Sequence, residues 1–362
     1  MNRIYNFSPG PAILPEPVLA EASRGVLEIA DSGMSILEVS HRGKQYEAIH
    51  RETQERLLRI MGLDASETAV LFLGGGASLQ FAMAPMNFLG EGRTADYVIA
   101  GEWGVKAAKE ARRFGTVHVA GASEDRGYSY IPKSLDLTPG AAYVHVTTNN
   151  TIEGTTLYDL PDTGDAPLVA DASSDILSRR VDFTRFSLLY AGAQKNLGPA
   201  GVTVVVARRS FLARANADLP AMLAYQTHLK SDSLYNTPPV FGVYVVGLVL
   251  KWIEEQGGLD AVEKTNREKA EVVYAALDRH ADVYEPTVTE PADRSLMNIT
   301  FRLRDTAREG AFLDGAKARR LEGLKGHRSV GGFRASMYNA FPLEGARVLA
   351  DYLDAFARGE IA

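Results

Sequence analysis

No cysteine occurs anywhere in the 362 residues. Disulfides, thiolate metal sites and cysteine nucleophiles are therefore excluded. Tryptophan is nearly as scarce, with two copies, so the position of each one stands out. Positive charge is in deficit as well. Thirty-nine Lys and Arg against 45 Asp and Glu leave a formal charge of −6, which argues against a general nucleic-acid or anionic-membrane binder. No apolar run approaches the ~20 residues of a membrane span, and the first ten residues lack the apolar core of a signal peptide. No grouping of His, Asp and Glu has metal-ligand spacing. The expectation is a cytoplasmic protein without a metal, a nucleic-acid partner or a membrane partner.

A hydrophobic content of 46% is ample for a core, and the length favours more than one. Ser8-Pro9-Gly10-Pro11 and Leu14-Pro15-Glu16-Pro17 make residues 1–15 a turn-rich arm rather than a helix. A large unit is expected over 16–257. It ends after the long apolar helical run 241–255, at Gln256-Gly257-Gly258. A smaller α+β unit is expected over 258–362.

Within 16–257, short apolar runs alternate with helical patterns, the mark of an α/β fold with a mainly parallel sheet. Strand candidates are 68–73, 96–101, 116–120, 142–148, 167–171, 186–190 and 202–206, which makes seven. Helical patterns cover 45–61, 79–89, 104–114 and 210–217. His118 and His145 fall at alternating positions inside strands and read as sheet-face histidines.

The strand ends carry the chemistry. Strand 68–73 runs into Gly74-Gly75-Gly76-Ala77-Ser78 and a helix, an arrangement that offers free amides and a positive dipole end to an anion. Neither a dinucleotide fingerprint nor a P-loop is present. Trp103 follows the next strand, Thr151 sits in the polar cluster 149–156, Asp171 ends a further strand, and Lys195 follows the next. A lysine that can act as a neutral amine, with an acid on the preceding strand, suits pyridoxal phosphate. The glycine turn would take the phosphate, Trp103 the ring face, Thr151 the ring hydroxyl and Asp171 the pyridine nitrogen.

The motifs Ser40-His41-Arg42, Gly74-Gly75-Gly76-Ala77-Ser78, Asn149-Asn150-Thr151-Ile152-Glu153-Gly154, Ala170-Asp171-Ala172-Ser173-Ser174-Asp175, Gly192-Ala193-Gln194-Lys195-Asn196, Tyr235-Asn236-Thr237-Pro238-Pro239 and Gly326-His327-Arg328…Arg334-Ala335-Ser336 occur in order along nearly the whole chain. Together they resemble the phosphoserine aminotransferase family, within the fold-type I, class V enzymes that use pyridoxal phosphate. The resemblance implies an internal aldimine on Lys195, which then shuttles a proton, and Asp171 paired with the pyridinium. Trp103 would stack on the ring and Thr151 would bond its phenolate. The cofactor phosphate would rest on the Ala77 and Ser78 amides and Gln194, with Asn236 and Thr237 reaching over from the other subunit of a homodimer.

Arg334 would hold the substrate carboxylate, and His41, Arg42, His327 and Arg328 the substrate phosphate, some of them across the dimer. One departure is Ser78, where some family members carry arginine. The implied reaction moves an amino group from glutamate to 3-phosphohydroxypyruvate in serine biosynthesis. Use of 4-phosphohydroxythreonine, in pyridoxine biosynthesis, is left open. Two alternatives also stand: an alanine–glyoxylate-type class V enzyme, and a non-catalytic protein that keeps the fold.

Overall fold

The structure, a computed structural model, describes residues 3–361. The chain opens with a two-residue strand β1 (Tyr5–Asn6), then α1 (Glu16–Leu27), which begins at Pro15-Glu16-Pro17 with a proline in its first turn. Helix α2 (Lys44–Met61) buries Tyr46, His50, Thr53, Leu57, Leu58 and Met61 along one stripe. It ends where Gly62 adopts φ 68°, a left-handed value that glycine reaches without a Cβ penalty.

The central sheet contains β2 (Thr68–Leu73), β3 (Thr94–Ile99), β4 (Thr116–Ala122), β5 (Val144–Thr147), β6 (Leu168–Asp171), β7 (Phe186–Gly192) and β8 (Thr203–Arg208). Their order across the sheet is β2-β8-β7-β6-β5-β3-β4. Only β8 runs against its neighbours; the rest are mutually parallel, as the sequence pattern implies. Successive residues of each strand serve opposite faces. On one face Val70, Phe72, Val144, Val146, Ala170, Leu189 and Val204 pack under α1, α2 and α7 (Val240–Glu255). On the other, Leu71, Tyr97, Tyr143, Val169, Leu188 and Tyr190 pack under α3 (Gly76–Phe88) and α4 (Glu102–Ala111). Both faces are covered, so β2, β5 and β6 are buried at every residue; β2 and β6 read as apolar runs, whereas β5, Val-His-Val-Thr, still alternates.

The helical stretch expected over 210–217 is only α5 (Arg209–Leu212). The chain then turns inward, and the Asn216 amide donates to the Asn87 carbonyl at 2.8 Å. Helix α6 (Tyr225–Lys230) follows.

A third cluster lies in the C-terminal part, around Phe301, Phe312, Phe333, Tyr352 and Phe356. Here α8 (Gly258–Arg279), α9 (Glu309–Ala318) and α10 (Leu343–Ala357) pack with a three-stranded antiparallel sheet of β9 (Tyr284–Pro286), β10 (Asn298–Leu303) and β12 (Phe333–Ser336). The short β11 (Leu321–Glu322) pairs in parallel with β1. Phe7 and Ile13 of the arm belong to this same cluster. Among the described residues no helix is long and apolar enough to cross a membrane, and no group of three or more His, Asp or Glu is placed to hold a metal ion.

Candidate active site

The carboxyl ends of the parallel strands gather at one edge of the sheet, where open α/β folds form their ligand crevice. Thr147 at the end of β5 lies opposite Asp171 at the end of β6, which in turn lies opposite Tyr190 in β7. Lys195 follows β7 in a tight turn that leads back into β8. Its Nζ donates to Thr151 Oγ1 at 2.7 Å. Burial pushes the ammonium down to about 8; the Asp171 charge opposes this fall and the Arg334 charge adds to it. A neutral, nucleophilic amine is accordingly within reach near neutral pH.

Asp171 is buried, and burial raises its carboxyl above the usual range against the pull of Ser173 and Lys195. The Ser173 amide donates to its Oδ1 at 2.9 Å, and Ser173 Oγ accepts from the Gly192 amide at 3.1 Å. The acid is thereby tied to the strand that carries the lysine. A cation brought against this carboxylate would hold it ionised.

Arg334, in β12, is 6% exposed and donates from Nη1 to the Thr151 carbonyl at 3.1 Å, while its Nε has no partner. His327 is half-buried, with Nδ1 2.7 Å from Ser329 Oγ. Burial first, then the charges of Arg334, Lys106 and Arg328, lowers its affinity for a proton. Trp103 sits in the first turn of α4 beneath the Lys106 ammonium, 4.5 Å from the ring centroid, and its buried Nε1 has no partner.

Helix α3 begins at Gly75, φ 83°, with no side-chain cap. Ala77 and Ser78 therefore lie in a first turn whose amides are free to receive an anion. A Cβ at Gly74 or Gly76 would meet nothing within 4 Å, so the turn opens onto free space. The Gln194 carbonyl accepts from the Ala12 amide at 2.9 Å, and Gly10 approaches so closely that a Cβ there would lie 3.4 Å from Lys195 Cγ. The N-terminal arm thus forms one wall beside the lysine.

The remaining predicted residues lie elsewhere in this chain. His41 and Thr237 line a separate hollow of about 410 Å³ with Pro199, Ala200 and Pro239. Next to them Arg42, Asn236 and Thr237 are exposed, and Asn236 bonds only the Thr237 carbonyl, at 3.1 Å. His41 Nε2 is buried without a partner. His41, Arg42, Asn236 and Thr237 therefore form one group, and Lys195, Asp171, Thr151, Trp103, Arg334 and His327 another.

The aminotransferase class-V family model matches residues 4–349. The chain belongs to the class-V aminotransferases. Among its relatives, the phosphoserine aminotransferase of Desulfatibacillum aliphaticivorans is 54% identical over 99% of both chains, and that of Bacillus subtilis is 48% identical over 98% of this chain and 99% of its own. The solved phosphoserine aminotransferase of Bacillus circulans subsp. alkalophilus superposes with a TM-score of 0.97 at 51% identity, over 99% of this chain and all of that one. A pyridoxal-phosphate-bound phosphoserine aminotransferase from Trichomonas vaginalis has a TM-score of 0.91 at 38% identity, covering 97% of this chain and 99% of its own.

The class-V aminotransferase site suits pyridoxal phosphate on its own chemistry. It offers a buried amine with a lowered proton affinity, a buried acid, an uncapped helix start beside open glycines, and an indole donor without a partner. Two residues to which the motifs assign no role, Ser173 and Tyr338, brace this aminotransferase site. Ser173 anchors Asp171. Tyr338 sends its hydroxyl to the Pro9 carbonyl at 2.8 Å, receives Asn298 Nδ2 at 3.2 Å, and so ties the arm to the cleft. His145 is sealed between Tyr97, stacked at 4.8 Å, and the Tyr190 hydroxyl at 2.7 Å, and burial drives it down to about 3. It is a neutral sheet-face residue, as its alternating position in the strand implies. The motif 149–154 contains Glu153 but assigns it no function; only its tertiary surroundings mark it out.

Proposed function

We propose that this class-V aminotransferase moves an amino group reversibly between glutamate and 3-phosphohydroxypyruvate, giving 2-oxoglutarate and phosphoserine. The single observation behind the reading is the convergence of Lys195, Asp171 and Thr151 with the cationic set Arg334, His327 and Arg328. Full-length relatives near 50% identity that bear the phosphoserine aminotransferase name support it.

Pyridoxal phosphate, held by Lys195, Asp171, Thr151, Trp103, Gln194 and the amides of Ala77 and Ser78, supplies an electron sink for the pair left when a bond at the substrate Cα breaks. The chain's own groups do the rest. Lys195 gives the covalent attachment point, and its amine takes and returns the Cα proton. Asp171 holds a proton on the ring nitrogen. Arg334, with its guanidinium edge unsatisfied, binds the carboxylate shared by both substrates as a two-pronged fork. His327 and Arg328, with His41 and Arg42, take the phosphate. Asn236 and Thr237 reach the cofactor phosphate of the other subunit in a homodimer. The division into an arm over 1–15, a cofactor-binding unit over 16–257 and a small unit over 258–362 belongs to the same proposal, as do a cytoplasmic setting and use of 4-phosphohydroxythreonine as a second substrate.

Steady-state assays test this directly. Lys195→Ala is expected to lose at least about 10³-fold in turnover, and retention of normal turnover would sink the reading. Arg328→Ala is expected to raise KM for phosphoserine far more than KM for glutamate. An equal rise for both would leave the alanine–glyoxylate type as the better assignment.

A further inference from the structure

Glu153 is the one glutamate buried among the described residues, at 3% exposed. Its Oε1 accepts from the Glu102 amide at 2.8 Å, the first amide of α4. Its Oε2 is buried with no partner, and so is Oδ1 of Asn150. Both orphaned oxygens crowd the same face of Gly101. A Cβ built there would lie 2.5 Å from Glu153 Oε2 and 2.6 Å from Asn150 Oδ1. Two buried acceptors brought to one spot repel, and each carries the cost of an unmade hydrogen bond. A single proton between them removes both penalties.

We infer that Glu153 works as a carboxylic acid, its Oε2–H donating to Asn150 Oδ1, and that in this form it is a positioning residue that holds the first turn of α4 and so places Trp103. The inference rests on the proposed function only for what Trp103 then contacts. Glycine at 101 is what leaves room for the pair.

The charges around Glu153 are few. Glu102 lies on α4, Arg334 on β12, and Tyr128 in the loop after β4. From β10, Thr300 Oγ1 donates to the Glu153 carbonyl at 2.6 Å and fixes its backbone. Burial outweighs the backbone amides of Glu102 and Glu153 and the weaker Arg334 attraction, and pushes the carboxyl up to about 7. A raised value means the proton is favoured on folding, so the neutral form and whatever it stabilises persist in acid and are lost as pH rises through neutrality. Ionisation restores the repulsion across Gly101, and either the carboxylate or the Asn150 amide must turn.

Glu153→Gln copies the neutral acid: Oε1 still accepts from the Glu102 amide, and Nε2 donates permanently to Asn150 Oδ1. The dissociation constant for pyridoxal phosphate is to be measured for the full-length wild type and for E153Q between about pH 6 and pH 8. The ratio of the two constants is expected to shift about fivefold, with wild type weakening at the alkaline end; a constant ratio would overturn the inference. A second measurement needs neither cofactor nor variant. With glutamate carboxyl carbons labelled in the wild-type apoprotein, one resonance is expected to titrate near neutrality. If every glutamate titrates in the ordinary carboxylate range, Glu153 is ionised, Asn150 presents Nδ2 to it instead of Oδ1, and the inference fails. Because that resonance is read without cofactor or substrate, its outcome is separate from that of the proposed reaction.

Discussion

A lysine amine whose proton affinity falls to about 8 is neutral in roughly a tenth of molecules at pH 7, some 300-fold more often than an ordinary lysine. Only the neutral amine attacks an aldehyde. The rate at which apoprotein captures pyridoxal phosphate should therefore climb with pH up to about 8 and then level off; stopped-flow absorbance at fixed cofactor concentration checks it. A climb continuing towards pH 10 would show that the amine is not desolvated. Lys195 and Asp171 were legible in the sequence because one follows and the other ends an apolar strand, and strand ends in an α/β fold meet at one edge. Glu153, Tyr338 and Ser173 were not. Each acts through a partner distant in sequence: the start of α4, the arm, and the end of β7. No local pattern announces such a pairing.

At the level of elements, the polar turn after β5 is held by the C-terminal sheet. Gly154 adopts φ 89°, and a Cβ there would lie 2.5 Å from Thr300 Oγ1 and 2.8 Å from the Asn298 carbonyl, both on β10. Gly154→Ala is expected to cost about 2–4 kcal/mol of stability, from the left-handed backbone and the clash with a strand that cannot retreat. Urea unfolding of the apoprotein measures it. A glycine there was readable as turn chemistry, but not as a spacer between two sheets. The long helices α2 and α7 and all seven central strands were legible from periodicity and apolar runs. The two-residue strands β1 and β11 were invisible, since two residues have no period. Strand β12 was hidden inside a stretch that drew attention for its charges, Gly326 to Ser336, and its pairing with β10 is set by tertiary packing.

Across the whole molecule, the His41, Arg42, Asn236 and Thr237 group stands apart from the lysine site, and the proposal has Asn236 and Thr237, with part of the phosphate clamp, serve the neighbouring subunit. Hybrid dimers decide this. A Lys195→Ala chain mixed with an Arg42→Ala chain gives heterodimers in which one site combines an intact Lys195 with the other chain's intact Arg42. If Arg42 serves the other subunit, random mixing should restore about a quarter of wild-type activity, half of the dimers each regaining one site of two. No recovery would show that Arg42 acts on its own subunit. The C-terminal part is also stitched to the lysine turn from within. Asn339 accepts Asn266 Nδ2 at 2.9 Å and donates its amide to Asn196 Oδ1 at 2.9 Å, beside Lys195. Lys269, fully buried, donates to the Met337 and Tyr338 carbonyls at 3.1 Å and 2.7 Å. Arg334 on β12 and the amine after β7 are thereby held in one frame.

Strand β2 has a single neighbour in the sheet, β8, whose residues come 130 or more positions later. During synthesis β2 must therefore wait, with one full row of backbone donors and acceptors open, until residues 203–208 have emerged. The arm waits longer still, since β1 pairs only with Leu321 and Glu322. An interrupted chain ending near residue 200 would carry an apolar, unpaired strand, the kind of edge on which chains aggregate. Truncation anywhere before β8 is therefore expected to cost soluble protein, on strand order alone.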